Sequence, residues 1–274
     1  MKKVLYSVAL LCSLQAVSYA QDMKLPAPSP LSKVTQDFST SAIEVVYSRP
    51  SANGRKVFGD LIPFGATWRT GANNATQITF GEDVIIDGKT LKAGTYSMYS
   101  VPNKDSWDII FNSFIGSWNG VKPATDVLKV TTKNVKNSSF YFNTLNIDIN
   151  NITTNSCELT IAWENTVVTL PIKVDNDARI TEYFENAINN PRIPYQQAAN
   201  YYLSQNKNLD KAATYAEKAL EQYPDAFWLH SLKGKILFKQ GKKADAIKAQ
   251  TKAAELSKGT PYAAEQEALL KSYK

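Results

Sequence analysis

Cysteine and histidine are nearly absent from this chain, and that scarcity removes several kinds of chemistry at once. Of the two cysteines, Cys12 lies in an apolar N-terminal stretch and only Cys157 belongs to the remainder, so no internal disulfide is expected. The single histidine, His230, falls in the C-terminal part and reads as an ordinary helix residue. The part before it therefore cannot assemble a Ser-His-Asp triad or a Cys-His pair, and it lacks the histidines of most catalytic zinc sites. Cys157 sits in "SCELTIAW" and reads as a buried, inert thiol. There is no Walker loop, and "GTYSMYSVP" offers one glycine rather than a phosphate cradle, so neither a metal nor a cofactor is expected.

Long apolar runs are scarce too. The one at the N-terminus, "VLYSVALLCSLQAV", follows Lys2 and Lys3 and precedes Ser18-Tyr19-Ala20, the pattern of a secretory leader cut after Ala20. It is short for a bilayer span of about 20 residues, and Leu10-Leu11 before Cys12 does not fit a lipoprotein signal. No later segment reads as transmembrane. The expected product begins at Gln21 and is exported, to the periplasm or beyond.

The net charge of +6 carries little information once it is divided. Residues 21–175 hold fourteen basic and fourteen acidic side chains, and residues 176–274 hold fifteen and eleven. The surplus is scattered as single lysines on a helical surface, without the clustered basic face of a nucleic-acid binder.

What is present divides the chain by period. After a 21–30 segment, residues 31–175 read as strands. "AIEVVYS", "ATQITF", "SWDIIFN" and "CELTIAW" are rich in β-branched and aromatic residues, and Asp87-Gly88 favours a hairpin turn. In "AGTYSMYSVP", Tyr96, Met98 and Ser100 point one way and Tyr99 and Val101 the other. Glu164-Asn165 reads as the turn that joins the last two strands. The expected fold is an antiparallel β-sandwich or barrel followed by an α-helical domain at 176–274. There Ile180, Phe184 and Ile188 share a helical face that Pro191 ends. A shift of 34 residues then aligns Leu203 with Leu237, Ala212 with Ala246, Ala219 with Ala253 and Glu221 with Glu255, which resembles the tetratricopeptide repeat.

Arginine is the other scarce residue, five against twenty-six lysines, yet Arg49, Arg55 and Arg69 fall within twenty-one positions. A planar fork is favoured where a carboxylate or a carbonyl must be bonded bidentately. With Trp68, Asn73 and Asn74 these arginines form the candidate ligand-binding set, on loops of a β-scaffold where binding residues gather. Two accounts stand side by side: the guanidinium groups tie down loops, or they line a polar cleft. No residue can be assigned a catalytic role.

The elements Tyr47-Ser48-Arg49-Pro50, Gly54-Arg55, Phe58-Gly59, Trp68-Arg69-Thr70-Gly71-Ala72-Asn73, Ala93-Gly94-Thr95-Tyr96 and Trp107 closely resemble an uncharacterised domain-of-unknown-function family, number 2911, over about residues 28–174. The resemblance implies an exported protein of Bacteroidetes or related bacteria and brings no known activity. Asn74 stands where it implies an acidic residue. The reading favoured here is a non-catalytic envelope module that binds a glycan or peptide at the β-domain and a protein partner at the helical repeats. The alternative is a carbohydrate-active hydrolase or lyase using carboxylates assembled by the fold, with Asp60, Glu44 and Asp108 as candidates.

The leader gives a direct prediction. Intact-mass spectrometry of the native protein should find a chain that starts at Gln21. A retained Met1, or a lipid on Cys12, would overturn it.

Overall fold

Alternation of apolar and polar residues builds two antiparallel sheets whose inner faces meet. The structure, a computed structural model, describes residues 25–116, 123–187 and 194–274. The leader with its expected cleavage site, and Ile188 and Pro191, lie outside the described residues.

Ten strands are described: β1 Leu31–Phe38, β2 Ser41–Ser48, β3 Ala72–Phe80, β4 Val84–Ile86, β5 Lys89–Leu91, β6 Gly94–Pro102, β7 Trp107–Asn112, β8 Asp126–Thr132, β9 Val135–Asn150 and β10 Ser156–Lys173. One sheet has the order β1-β2-β3-β6-β7-β8 and the other β5-β4-β10-β9. The β4–β5 hairpin turns at Asp87 and Gly88, both at positive φ (50° and 72°), as its two-residue loop requires. The inner faces carry every second residue: Ile43, Val45 and Tyr47 from β2 and Ile109 and Phe111 from β7 meet Leu145, Ile147 and Ile149 from β9. In β6, Tyr96 and Met98 join this core, while Tyr99 packs with Ala75 and Ile110 on the opposite face, as the alternation predicts.

One expectation is corrected. Glu164-Asn165 is not a turn between two strands but an irregularity within the single 18-residue strand β10. Glu164 has φ 52°, and the register against β9 shifts on both sides of it. Phe142 opposes Glu164 and Asn137 opposes Thr166, so residues 138–141 bulge out opposite Asn165, whose amide donates to Ser138 O at 3.0 Å. The bulge also switches the parity of the buried positions, from Leu159, Ile161 and Trp163 to Val168, Leu170 and Ile172.

Six α-helices are described after the strands: α1 Asp177–Ala187, α2 Tyr195–Gln205, α3 Leu209–Gln222, α4 Phe227–Lys239, α5 Lys243–Leu256 and α6 Ala263–Tyr273. The offset of 34 residues recurs between α3 and α5, from Leu209 to Lys243 and from Gln222 to Leu256. The aligned alanines Ala212, Ala219, Ala246 and Ala253 are buried, which lets neighbouring helices approach closely. Tyr202 and Tyr215 stack in the helical core, 6.0 Å apart and nearly parallel.

Glu82 joins the strands to the first helix. Its carboxylate accepts from Thr40 N at 3.0 Å, Ser41 Oγ at 3.2 Å, Asn176 Nδ2 at 3.3 Å and Arg179 Nη2 at 2.9 Å. The side chain is only 10% exposed. Burial works to raise its pKa, but the hydrogen bonds from Thr40, Asn176 and Ser39 outweigh it and hold the carboxyl below its ordinary value.

A folded-state pKa below the unfolded one stabilises the protein fully above the unfolded value, and the contribution is lost as pH falls through the folded value. Glu82→Gln should therefore cost about 1–3 kcal/mol near neutral pH, as expected for hydrogen bonds to a charged group. Melting of wild type and variant from about pH 7 down to about pH 2 checks this, a range that crosses the ordinary carboxylate titration and extends below it. The difference should close at acid pH, and one that persists unchanged would contradict the assignment.

Candidate functional site

The segment between β2 and β3 begins by leaving one sheet for the other. Pro50 to Ala52 runs along the edge of β9: Leu145 N donates to Pro50 O at 2.9 Å and Ala52 N to Asn143 O at 2.7 Å. Arg49 seals the same edge, with Nε donating to Leu145 O at 2.9 Å and Nη2 to Asn146 Oδ1 at 3.4 Å. Next along, the buried Tyr47 hydroxyl accepts from Ile147 N at 2.8 Å and donates to Ile147 O at 3.2 Å. These bonds occupy backbone groups that an edge strand otherwise leaves open. Arg49 is thus a clamp between strands, and it does not line the cleft described below.

The chain then turns at Asn53 and Gly54, both at positive φ. Arg55 folds back over this turn, donating from Nε to Ala52 O at 2.9 Å and from Nη2 to Ser51 O at 2.7 Å. Val57 and Phe58 are buried. Gly59 has φ 94°, and a Cβ there would lie 2.9 Å from the Phe64 ring, so the turn admits no larger residue without displacing that ring.

The loop returns to the first sheet at Trp68, which exchanges backbone hydrogen bonds with Ser100 at 2.7 and 2.8 Å. Its indole is buried, donates Nε1–H to Gly71 O at 3.1 Å, and stacks on Trp163 from β10 at 5.7 Å. Trp107 from β7 and Phe58 meet it edge-on at 6.2 and 6.0 Å. Thr70, fully buried, holds φ 53°, a strained conformation for a β-branched residue. Its hydroxyl pairs with Ser100 Oγ at 2.9 Å, and its carbonyl accepts from Thr76 Oγ1 at 2.7 Å. Thr76 N donates to Arg69 O at 3.1 Å. Arg69 therefore sits on a backbone held on both sides.

Arg55 and Arg69 line one cleft of about 450 Å³. Its walls include Leu61, Ile62 and Pro63, and the indoles of Trp68 and Trp163. Among the described residues that line it, none is acidic. So three of the six sequence candidates, Arg55, Trp68 and Arg69, come together here. Asn73 does not: at φ 58° it is the second residue of β3, and its amide donates to Ser48 Oγ at 3.1 Å and Ser29 O at 3.4 Å. Asn74 is exposed on β3 and does not line the cleft. Sequence reasoning missed Trp163 and the 61–63 wall. The inward parity of "LTIAW" marks Trp163, whereas nothing local marks the wall.

Other groups are engaged elsewhere. Glu44 pairs with Lys33 at 2.7 Å, Asp108 with Lys129 at 2.7 Å and Asp60 with Lys56 at 3.8 Å, and none of these carboxylates lines the arginine cleft. A second cavity of about 490 Å³ borders Phe58 and Trp107 and carries Lys56, Lys104, Lys136, Asp105 and Glu164. A larger one, about 930 Å³, lies between α3, α4 and α5 with charges of both signs, including the Lys233–Glu217 pair. His230 lines it and bonds Pro224 O at 2.8 Å. Among the described residues no group of three or more His, Cys, Asp or Glu could hold a metal ion. Cys157 is buried, and burial pushes its thiol up to about 12, so it stays protonated.

Residues 29–172 match the family described as "Protein of unknown function (DUF2911)". No curated protein and no solved structure matches the chain.

The contrast between Trp68 and Asn74 can be measured. Trp68→Ala should cost about 3–5 kcal/mol in chemical denaturation, the range for emptying a large aromatic core site. Asn74→Ala, on the exposed face, should stay within about 0.5 kcal/mol of wild type.

Proposed function

The chain belongs to the DUF2911 family, and from that premise we propose that it is a non-catalytic binding protein whose β-domain holds a polar, anionic ligand in the Arg55–Arg69 cleft. One observation carries this: two guanidinium groups line a cleft with no carboxylate among its described lining residues. A guanidinium held in place beside apolar walls, as Arg55 is by Ala52 O and Ser51 O, favours an anion more than it would in open water. The strain at Thr70 supports the reading, because such conformations persist where surrounding structure holds them and cluster at ligand sites.

The protein acts in the cell envelope after export, as the leader indicates. Its helical part holds a protein partner, in the manner of the tetratricopeptide repeats that its 34-residue spacing resembles. Exposed aromatics such as Trp228 and Tyr262 support that role. A hydrolase would need two carboxyls about 5–10 Å apart across a substrate groove. The carboxylates singled out for it, at positions 44, 60 and 108, are each bound to a lysine on separate parts of the fold, which favours binding over hydrolysis.

Arg69→Lys keeps the charge and removes the fork. In calorimetric screening of the full chain against envelope glycans and peptides, the variant should melt close to wild type and bind at least about tenfold more weakly, the loss of about one charge-assisted hydrogen bond. A marked fall in melting temperature with binding retained would leave the arginine as scaffolding.

A further inference from the structure

Resting on that reading, we infer that the cleft captures the C-terminal carboxylate of a peptide whose last side chain is apolar. The first support is the orientation of Arg55. Its Nε and Nη2 are bonded to Ala52 O and Ser51 O, which fixes the plane of the guanidinium. The end edge of the fork, Nη1 with the second hydrogen of Nη2, is left over, and no carboxylate pairs with Arg55 among the described residues. A planar edge of this kind matches the two oxygens of a carboxylate. Arg69 contributes a second positive charge to the same cleft.

The walls specify the rest of the ligand. Pro50, Leu61, Ile62, Pro63 and Ala66 give the lining an apolar part, and Leu61 is 42% exposed. Covering such a side chain with another apolar group gains about 25 cal/mol for each Å² removed from water. A peptide end offers both halves, one carboxylate and one apolar side chain, a few ångströms apart, and capture of a terminal carboxylate is an established recognition mode.

A sugar fits less well. Its ring hydroxyls need side-chain amides or carboxylates, and no Asn, Gln, Asp or Glu is among the described lining residues; Ser29 and Thr67 are the only side-chain hydroxyls there. Stacking needs an open indole face. Trp68 and Trp163 are 6% and 1% exposed and stack on each other.

The test uses calorimetry on the full chain with three probes: acetyl-Ala-Ala-Leu with a free carboxylate, the same peptide as its amide, and a galacturonic acid trisaccharide. The free acid should bind and the amide should bind at least about tenfold more weakly, since the amide removes the charge that the guanidinium fork recognises. Thr67→Glu supplies a competing carboxylate at the cleft wall. Thr67 is exposed, so this variant should keep the wild-type melting temperature while weakening the free acid by at least about tenfold. Equal binding of acid and amide overturns the inference. Binding of the trisaccharide without the peptide overturns the inference and leaves an anion-binding cleft standing. Peptide binding untouched by both Thr67→Glu and Arg69→Lys, or no binding of any probe, overturns the inference and the cleft reading together.

Discussion

The contact on which the rest of the β-domain depends is the insertion of Trp68 between the two sheets. Trp107 comes from β7 of one sheet and Trp163 from β10 of the other, while Trp68 and Phe58 come from the loop between β2 and β3. All four rings meet, with centroids 4.9 to 6.2 Å apart. Each such ring buries roughly 150–250 Å², and each pair adds about 0.5–1.5 kcal/mol beyond that burial. The loop is therefore part of the core rather than a covering laid over it. That accounts for a segment without regular secondary structure being so firmly held: its ordering entropy is offset by aromatic burial, not by ladder hydrogen bonds.

From this anchoring follows a division of labour along three consecutive residues. Trp68 and Thr70 point inward and are buried, while Arg69 between them lies at the cleft. The isolated bridge of Trp68 to Ser100 sets the first of these positions, and the bond between the Thr70 and Ser100 hydroxyls holds the third. The hydroxyls of Thr70, Ser100 and Thr76 then satisfy buried backbone and one another at 2.7 to 2.9 Å. Holding Thr70 at positive φ costs of order 1–3 kcal/mol, and the network around it is what makes that conformation tolerable. Arg55 achieves a comparable fixity by a different route, by bonding the carbonyls of its own turn.

How much of this was legible in the sequence depended on whether the signal was local. The sandwich, the Asp87-Gly88 hairpin, the facing of Tyr96 and Met98 and the spacing of the helix pairs are all written as period and turn chemistry. The bulge in β10 was misread as a turn because its local signature is the same: polar Glu164-Asn165 and a reversal of parity. Only the long-range pairing with β9 tells a kink from a corner. Among the site residues, the scarcity of arginine pointed to the right segment but not to the role of each member. Arg49 finds its acceptor 96 residues away on β9, and nothing near position 49 announces that partner. Asn73 belonged to the candidate ligand-binding set; its amide bonds Ser48 and Ser29, and it is the second residue of β3, which starts at Ala72, three residues before the buried pattern does at Ala75.

The same long-range pairing also sets where the helices attach relative to the cleft. Strands β2 and β3 run side by side, with Ile43 opposite Phe80 at one end and Ser48 opposite Ala72 at the other. Glu82, Thr40 and the start of α1 gather just beyond the first end, whereas Pro50, Arg69 and Ala72 border the cleft at the second. The eight residues of β2 at about 3.3 Å each place roughly 25 Å of sheet between them. Tethering α1 through Glu82 thus leaves the arginine end of the sandwich uncovered by that junction. A ligand at the cleft and a partner on the helices could be held at once. Any coupling between them would have to pass through the packed strands, whose close packing resists continuous deformation.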